Sequence, residues 1–375
     1  MGLILLRYGE LALKGRNRIE FVNRLRHNVR ACLKACNVSG EVASVGQRMV
    51  VRAEQVEELL DPLSRVFGLV SLSPVGEVAR DMAAILQECV RQARECGVGP
   101  EVTLRVQARR SDKTFPLTSP QINRIAAEEI LRTLGGEVDL SSRAQVTIGV
   151  EVSRESALVY SRVVPAPGGL PLGVEGRVVA LISGGIDSPV AAWMLMKRGC
   201  NVIPVHFSQS EVEAAKALEN IAVLGRYSYG WTLRPMVLDH AQVIGPTLRK
   251  LRVLGEERWS CIFCKRALLL KACEIANDLG AQAIAMGDSL GQVASQSLSN
   301  MEVISYGIPK MILRPLIGLD KNEIIAIAQR LGTFEIATRA AERCSFLPSN
   351  PVTRGAIVKF LTLTERLDAM EDPGG

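Results

Sequence analysis

No stretch at the start of this sequence is apolar for long enough to cross a membrane or direct export. Met1-Gly-Leu-Ile-Leu-Leu6 is stopped by Arg7, well short of a signal-peptide core or a bilayer span. Leu6 also stands where an N-myristoylation pattern needs Ser or Thr. Internal repeats and low-complexity tracts are missing, so neither a solenoid nor a disordered chain is expected. Histidine is scarce, with 3 residues in 375. His27 and His240 have no ligand-like company, and ordinary core or surface roles are expected for both. Cysteine, at 9 residues, is too sparse for a secreted disulfide scaffold. Reduced thiols and a cytoplasmic location are expected, with no membrane partner. What remains is 47% hydrophobic, long enough for two or three domains with real cores, and basic by +6. That charge suits an anionic partner without requiring one.

The turn Ser183-Gly184-Gly185-Ile186-Asp187-Ser188 organises the chain. It follows Arg177-Val-Val-Ala-Leu-Ile182, which reads as a buried strand. A helical pattern through Ala191, Ala192, Met194, Leu195 and Met196 comes after it. Two glycines allow close backbone approach, and a helix N-terminus offers free N–H groups to an anion. Ser183 and Ser188 add hydroxyl donors. A carboxylate repels a bare phosphate, so Asp187 implies a divalent cation, Mg²⁺, between the two. No Lys-Ser/Thr pair closes the turn, which excludes a Walker-type loop. The turn resembles the SGGxDS pyrophosphate loop of ATP pyrophosphatases, which activate a carbonyl oxygen by splitting ATP into AMP and pyrophosphate. An unliganded Gly-rich turn is the bland alternative.

The rest of the chain falls into units. Residues 3–7 read as a strand and Ile19–Cys36 as an amphipathic helix whose other side carries Arg24, Arg26 and Arg30. Strands at Glu41–Val45 and Arg48–Ala53 and a helix at Val56–Phe67 complete a first unit, residues 1–60. Residues 61–165 hold helices at Asp81–Cys96 and Pro120–Leu134 and strands at Val102–Ala108, Ala144–Val152 and Ala157–Val163. The basic, polar loop Arg109–Ser119 lies among them. A Pro/Gly-rich linker, 166–176, precedes 177–375, where strands alternate with helices. Such alternation predicts an α/β fold, a doubly wound parallel sheet with ligands at the strand carboxyl ends. Those ends deliver Leu181 and Ile182, His206 and Phe207, and Gly287 and Asp288. Asp288 could share a cation with Asp187. Asp320 and Glu323 have capping-box spacing, which favours a structural role for Asp320.

The basic loop resembles that of the THUMP RNA-binding domain, and the unit before it resembles the ferredoxin-like domain that accompanies THUMP. With Arg7–Arg18, the phosphate loop, Arg314–Asp320 and Gly287-Asp-Ser-Leu-Gly-Gln-Val-Ala-Ser-Gln296, the whole chain resembles the tRNA 4-thiouridine synthetase (tRNA uracil 4-sulfurtransferase) family. Asp288 replaces the family's common Glu. The rhodanese-like extension of some members does not follow Gly375, so sulfur is expected to be held within these residues.

The resemblance implies ATP-dependent thiolation of tRNA at uridine 8. Leu181, Ile182, Ser183, Gly184, Gly185, Asp187, Ser188, His206, Phe207, Lys265, Gly287 and Gln296 would bind ATP. Arg16, Arg18, Arg109, Arg110 and Lys113 would contact RNA, and sulfide or a sulfur-donor protein, with a homodimer as the assembly, completes the partners. Cys261 and Cys264 stand at C-x-x-C spacing, and Cys344 resembles the family's sulfur-relay cysteine. Three thiolates are one short of a structural zinc site but leave one iron of an iron–sulfur cluster open. A redox pair, or Cys344 as a lone nucleophile, are the alternatives. The other six cysteines, Trp193 and Trp259 read as core. A different ATP pyrophosphatase shares the loop but has no use for the basic loop or the three thiols. A non-catalytic RNA-binding protein has no use for Asp187.

Overall fold

The computed structural model describes residues 1–13, 17–45, 48–340, 344 and 346–371. Arg16, expected to touch RNA, lies outside the described residues. The chain forms two compact units, Met1–Pro171 and Leu172–Gly375.

The first unit is built on one sheet. Its elements are β1 (Gly2–Tyr8), α1 (Arg18–Ala35), β2 (Gly40–Val45), β3 (Arg48–Ala53), α2 (Val56–Leu63), β4 (Leu69–Val78), α3 (Met82–Glu95), β5 (Thr103–Arg110), α4 (Ser119–Leu134), β6 (Glu137–Val138), β7 (Val146–Val152), β8 (Ala157–Tyr160) and β9 (Val164–Pro165). Strand order is β2-β3-β1-β4-β8-β7-β5-β6, with β9 also on β4. Leu3 to Leu6 are buried without alternation, because β1 is flanked by β3 and β4 and covered on both faces. Helix α1 turns Phe21, Leu25, Val29 and Leu33 inward, as its spacing predicts.

Strand β4 is not legible in the sequence, because Pro74 and Gly76 argue against a strand interior. It nevertheless pairs with β1 over Leu69–Val75 and with β8 over Gly76–Val78, and so carries the sheet from one half of the unit into the other. Glu151, buried on β7, accepts from Arg7 Nε at 3.1 Å and Arg48 Nε at 2.7 Å, a polar tie between the same halves. Cys32 and Cys89 are core, while Cys96 is exposed, contrary to the core reading.

The second unit contains β10 (Arg177–Leu181), α5 (Asp187–Lys197), β11 (Asn201–Ser208), α6 (Glu211–Gly225), β12 (Met236–Asp239), α7 (His240–Val253), α8 (Ser260–Asp278), β13 (Ala283–Ala285), α9 (Leu298–Ser305), β14 (Met311–Leu313), α10 (Lys321–Leu331), α11 (Phe334–Ala337) and α12 (Ile357–Asp368). The sheet is parallel in the order β12-β11-β10-β13-β14. One apolar cluster joins Val179, Ile203, Val205 and Ile284 of the strands to α7, α8 and α12. A second joins α5 to α10 through Val190, Ala191, Ile324 and Ala328. This is the α/β sheet with helices on it that strand–helix alternation predicts. The capping box of Asp320 and Glu323 is formed. Helix α8 begins at Ser260, nearly two turns before Ala267, where its apolar pattern predicts a start, so Cys261 and Cys264 lie one helical turn apart on its first turns. Trp259 is buried in the core, as read. Among the described residues, no helix is long and apolar enough to cross a membrane.

Candidate active site

Strand β10 ends in the loop, and the loop curls around Ser188. The Ser183 N–H donates to Ser188 Oγ at 2.8 Å, the two hydroxyls stand 3.0 Å apart, and the Gly185 N–H donates to Ser183 Oγ at 3.2 Å. The end of β13 presses on the start of α5. A Cβ on Gly287 would lie 2.8 Å from both N and Cα of Ser188, main-chain atoms that cannot give way. These glycines therefore serve close packing around a helix N-terminus, the place where phosphate binds.

The two site carboxylates are engaged separately. Asp187 accepts from Lys321 Nζ at 2.6 Å and from Gln292 Nε2 at 3.2 Å. Asp288, buried, accepts from Lys265 Nζ at 2.7 Å, Gln296 Nε2 at 3.3 Å and Arg314 Nε at 3.1 Å. Burial opposes its charge, but the Lys265 ammonium and the Arg314 guanidinium outweigh it and hold its carboxyl below the usual carboxylate range. The two carboxylates expected to share a cation thus have different basic partners, Lys321 for Asp187 and Lys265 with Arg314 for Asp288. Asp187, at the start of α5, is the carboxylate on the loop itself that would hold a magnesium ion. That suits an ion which takes one or two carboxylates and fills its shell with water and phosphate oxygens.

Lys321 and Arg314 are site residues that the sequence reading missed as such. Lys321 left a signal, since a cation in the first turn of α10 opposes the helix dipole and calls for a nearby anion.

His206 Nδ1 stands 2.8 Å from the carbonyl oxygen of Ile182, so it donates there and leaves Nε2 as a buried acceptor with no partner among the described residues. Burial pulls its pKa down. Ile182 is buried, Leu181 packs at the edge of the core, and Phe207 lies within the apolar cluster with Val205 and Ile244. The side chain of Phe207, a residue expected at the nucleotide, packs in this core.

The thiols meet beside α7. His240 Nε2 is 3.1 Å from Cys264 Sγ, and its ring stacks on Phe346 at 5.7 Å, two residues beyond Cys344. His240 is buried and belongs to this cluster, contrary to the solitary role expected for it. Burial raises the Cys261 thiol and pushes Cys264 up to about 12, and charge on Cys344 adds to both shifts. The three cysteines therefore converge, although eighty residues separate Cys264 from Cys344. Among the described residues, no group of three or more His, Cys, Asp or Glu side chains is placed to hold a metal ion. Three cysteine thiols are the donor type that an iron–sulfur cluster takes. Lys265, next to Cys264 on α8, acts on both thiols and holds Asp288, which joins the thiol cluster to the loop side of the site.

In the first unit, Arg18, Arg109 and Lys113 are exposed. Arg110 instead donates from Nη1 to the Phe115 carbonyl at 3.1 Å and shapes the loop, as does Arg80, which pairs with Asp112 at 2.7 Å. Arg110, expected to contact RNA, is half-buried and makes this internal bond.

A thiamine biosynthesis protein (ThiI) family model matches residues 173–368, a ThiI ferredoxin-like domain model residues 3–73, and a THUMP domain model residues 79–162. A probable tRNA sulfurtransferase of Thermococcus kodakarensis is 40% identical over 364 residues, covering 96% of this chain and 95% of that protein. The chain belongs to the tRNA sulfurtransferase (ThiI) family. A family member of the same name from Methanocaldococcus jannaschii is 39% identical over 93% of each chain. The crystal structure of a 4-thiouridine synthetase–RNA complex with bound ATP superimposes with a TM-score of 0.86 at 30% identity, covering 98% of this chain and 95% of that one. PH1313 from Pyrococcus horikoshii Ot3 does so with a TM-score of 0.71 at 29% identity, covering 88% and 100%.

Proposed function

We propose that this sulfurtransferase-family chain uses ATP to convert a tRNA uridine, uridine 8, into 4-thiouridine. The observation that carries the reading is the first part of α8, where Lys265, tied to the Gly287–Asp288 strand end, adjoins thiols that converge with Cys344. An activation site for a carbonyl oxygen thereby adjoins a place to hold sulfur. The ATP-bound and RNA-bound state of the superimposable 4-thiouridine synthetase supports both ligands.

In the first step the uracil O4 attacks the α-phosphorus of ATP held on the Ser183–Ser188 loop. The bond to the β-phosphate oxygen breaks, pyrophosphate leaves, and the N3 proton is lost. Asp187 would hold the magnesium ion of the nucleotide, which supplies neutralisation of the phosphates. Loop N–H groups and the α5 N-terminus stabilise charge on the transferring phosphoryl group. Lys321 and Lys265 add ammonium charge at its rim. In the second step hydrosulfide attacks C4, the C4–O bond breaks, AMP leaves, and the sulfide proton ends on N3. Cys261, Cys264 and Cys344 are the sulfur-holding residues, and as thiolates they would hold an iron–sulfur cluster, which would supply a place for sulfide to bind. Arg18, Arg109 and Lys113 contact tRNA phosphates, which position the substrate without reading its sequence. The free thiols and the tRNA substrate suit the cytosol.

The test is nucleoside analysis of tRNA incubated anaerobically with the protein, ATP, magnesium and sulfide, with iron measured in the same preparation. 4-Thiouridine at position 8 that depends on ATP and disappears in Cys344→Ser supports the reading. Its absence from an iron-replete, folded preparation rejects the reaction. Full activity in an iron-free preparation rejects the cluster alone.

A further inference from the structure

Lys216 on α6 has 5% exposure and no part in the chemistry above. Its Nζ donates to the carbonyls of Ala337 at 3.2 Å and Arg339 at 3.1 Å, with Glu213 Oε1 3.7 Å away. A buried ammonium is tolerated only when paired, so these carbonyls are a committed attachment rather than a passing contact. The same face of α6 braces the nucleotide loop. Asn220 Nδ2 donates to the Ser183 carbonyl at 3.2 Å, and a Cβ on Gly184 would come within 2.9 Å of Lys216 Cβ and 2.7 Å of Glu213 Oε2. Residues 213, 216 and 220 recur at three- and four-residue spacing, which puts them on one face of the helix. The stem of Lys216 therefore packs on the loop while its head grips the segment that leads to Cys344. Among the described residues, the segment has a further tie to α6, Arg339 to Glu219 at 2.8 Å, which is half exposed and contributes little.

We infer that Lys216 is a positioning residue for sulfur transfer. By tying the Ala337 and Arg339 carbonyls to the helix that braces the loop, it sets where Cys344 stands relative to the activated uridine. This rests on the reading of Cys344 as a sulfur-holding residue.

Lys216→Met tests it, because Met keeps a stem against Gly184 and loses the donors. The tRNA-dependent exchange of pyrophosphate into ATP should stay within about threefold of wild type, while thiolation falls roughly 10²-fold, the usual effect of a misplaced reacting group. Iodoacetamide labelling of Cys344, followed on its own peptide, should quicken severalfold, and Lys216→Arg should restore both readouts. If Lys216→Met does not fold, Lys216→Gln serves, with the same expected split. Wild-type thiolation and labelling in a folded variant overturn the inference. Equal loss of exchange and thiolation does too, because it assigns Lys216 to the ATP step. Labelling needs no turnover. Failure of the wild type to thiolate tRNA would count against the proposed reaction, whereas unchanged Cys344 labelling would count against Lys216.

Discussion

Asp288 shows how one side chain can be read correctly as a site residue and wrongly as to its task. Its place at a strand end is written in the sequence, and its partners are not. Lys265 and Arg314 come from positions 23 and 26 residues away and meet its two oxygens inside the fold. Removing one partner of a buried ion pair leaves the others uncompensated, which costs far more than losing a surface bridge. Asp288→Asn should therefore lower unfolding free energy by about 3 kcal/mol, measured by urea denaturation. Asp288→Glu, the residue common in the family pattern, should retain most of the stability and the ATP-dependent exchange.

Where β13 meets α5, the constraint belongs to a pair of elements rather than to a residue. Gly287→Ala would force a methyl against Ser188 N and Cα, and main chain cannot rotate out of the way. The strand end and the helix start must part. Overpacking of this kind costs about 1–3 kcal/mol. Because the helix start is the proposed phosphate site, the ATP KM of the exchange reaction should rise while tRNA affinity, read in a filter-binding assay, is unchanged. A variant with wild-type ATP KM would show that the loop tolerates the displacement. The same lesson applies to β4 and α8. A proline and a glycine hid the strand, and the C-x-x-C spacing concealed the first turns of a helix.

The response to acid gathers contributions from the second unit as a body. His206 and His240 are buried, and burial, the strongest influence on each, pulls both pKa values down. Neutral imidazole is what the native state accommodates, and the unfolded chain binds protons below about pH 6.5. The contribution of these residues is therefore complete above that pH and lost as pH falls below it. Asp288, also depressed, keeps its contribution until pH falls below about 4, the unfolded carboxyl value. Calorimetry should thus show a first loss of melting temperature between about pH 6.5 and 5, reduced in His206→Gln, and a second nearer pH 4 that is missing in Asp288→Asn. A melting temperature flat from pH 7 to 5 would contradict the first of these assignments.

Several features needed no tertiary information. The phosphate loop between a buried strand and a helix, the cap of Asp320, the apolar face of α1 and the linker all rest on signals contained within ten or fifteen residues. Helical period, turn chemistry and capping act over that range. They sufficed for the α/β sheet and for the family. What the fold alone decided are meetings between distant parts of the chain. Lys321 pairs with Asp187 across 134 residues, Lys216 reaches Ala337 across 121, and Cys344 joins a pair eighty residues away. None of these residues carries its partner's identity in its own neighbourhood. Each was paired by the packing of helices on a sheet, which brings charges and thiols together at strand ends and makes burial enforce the match.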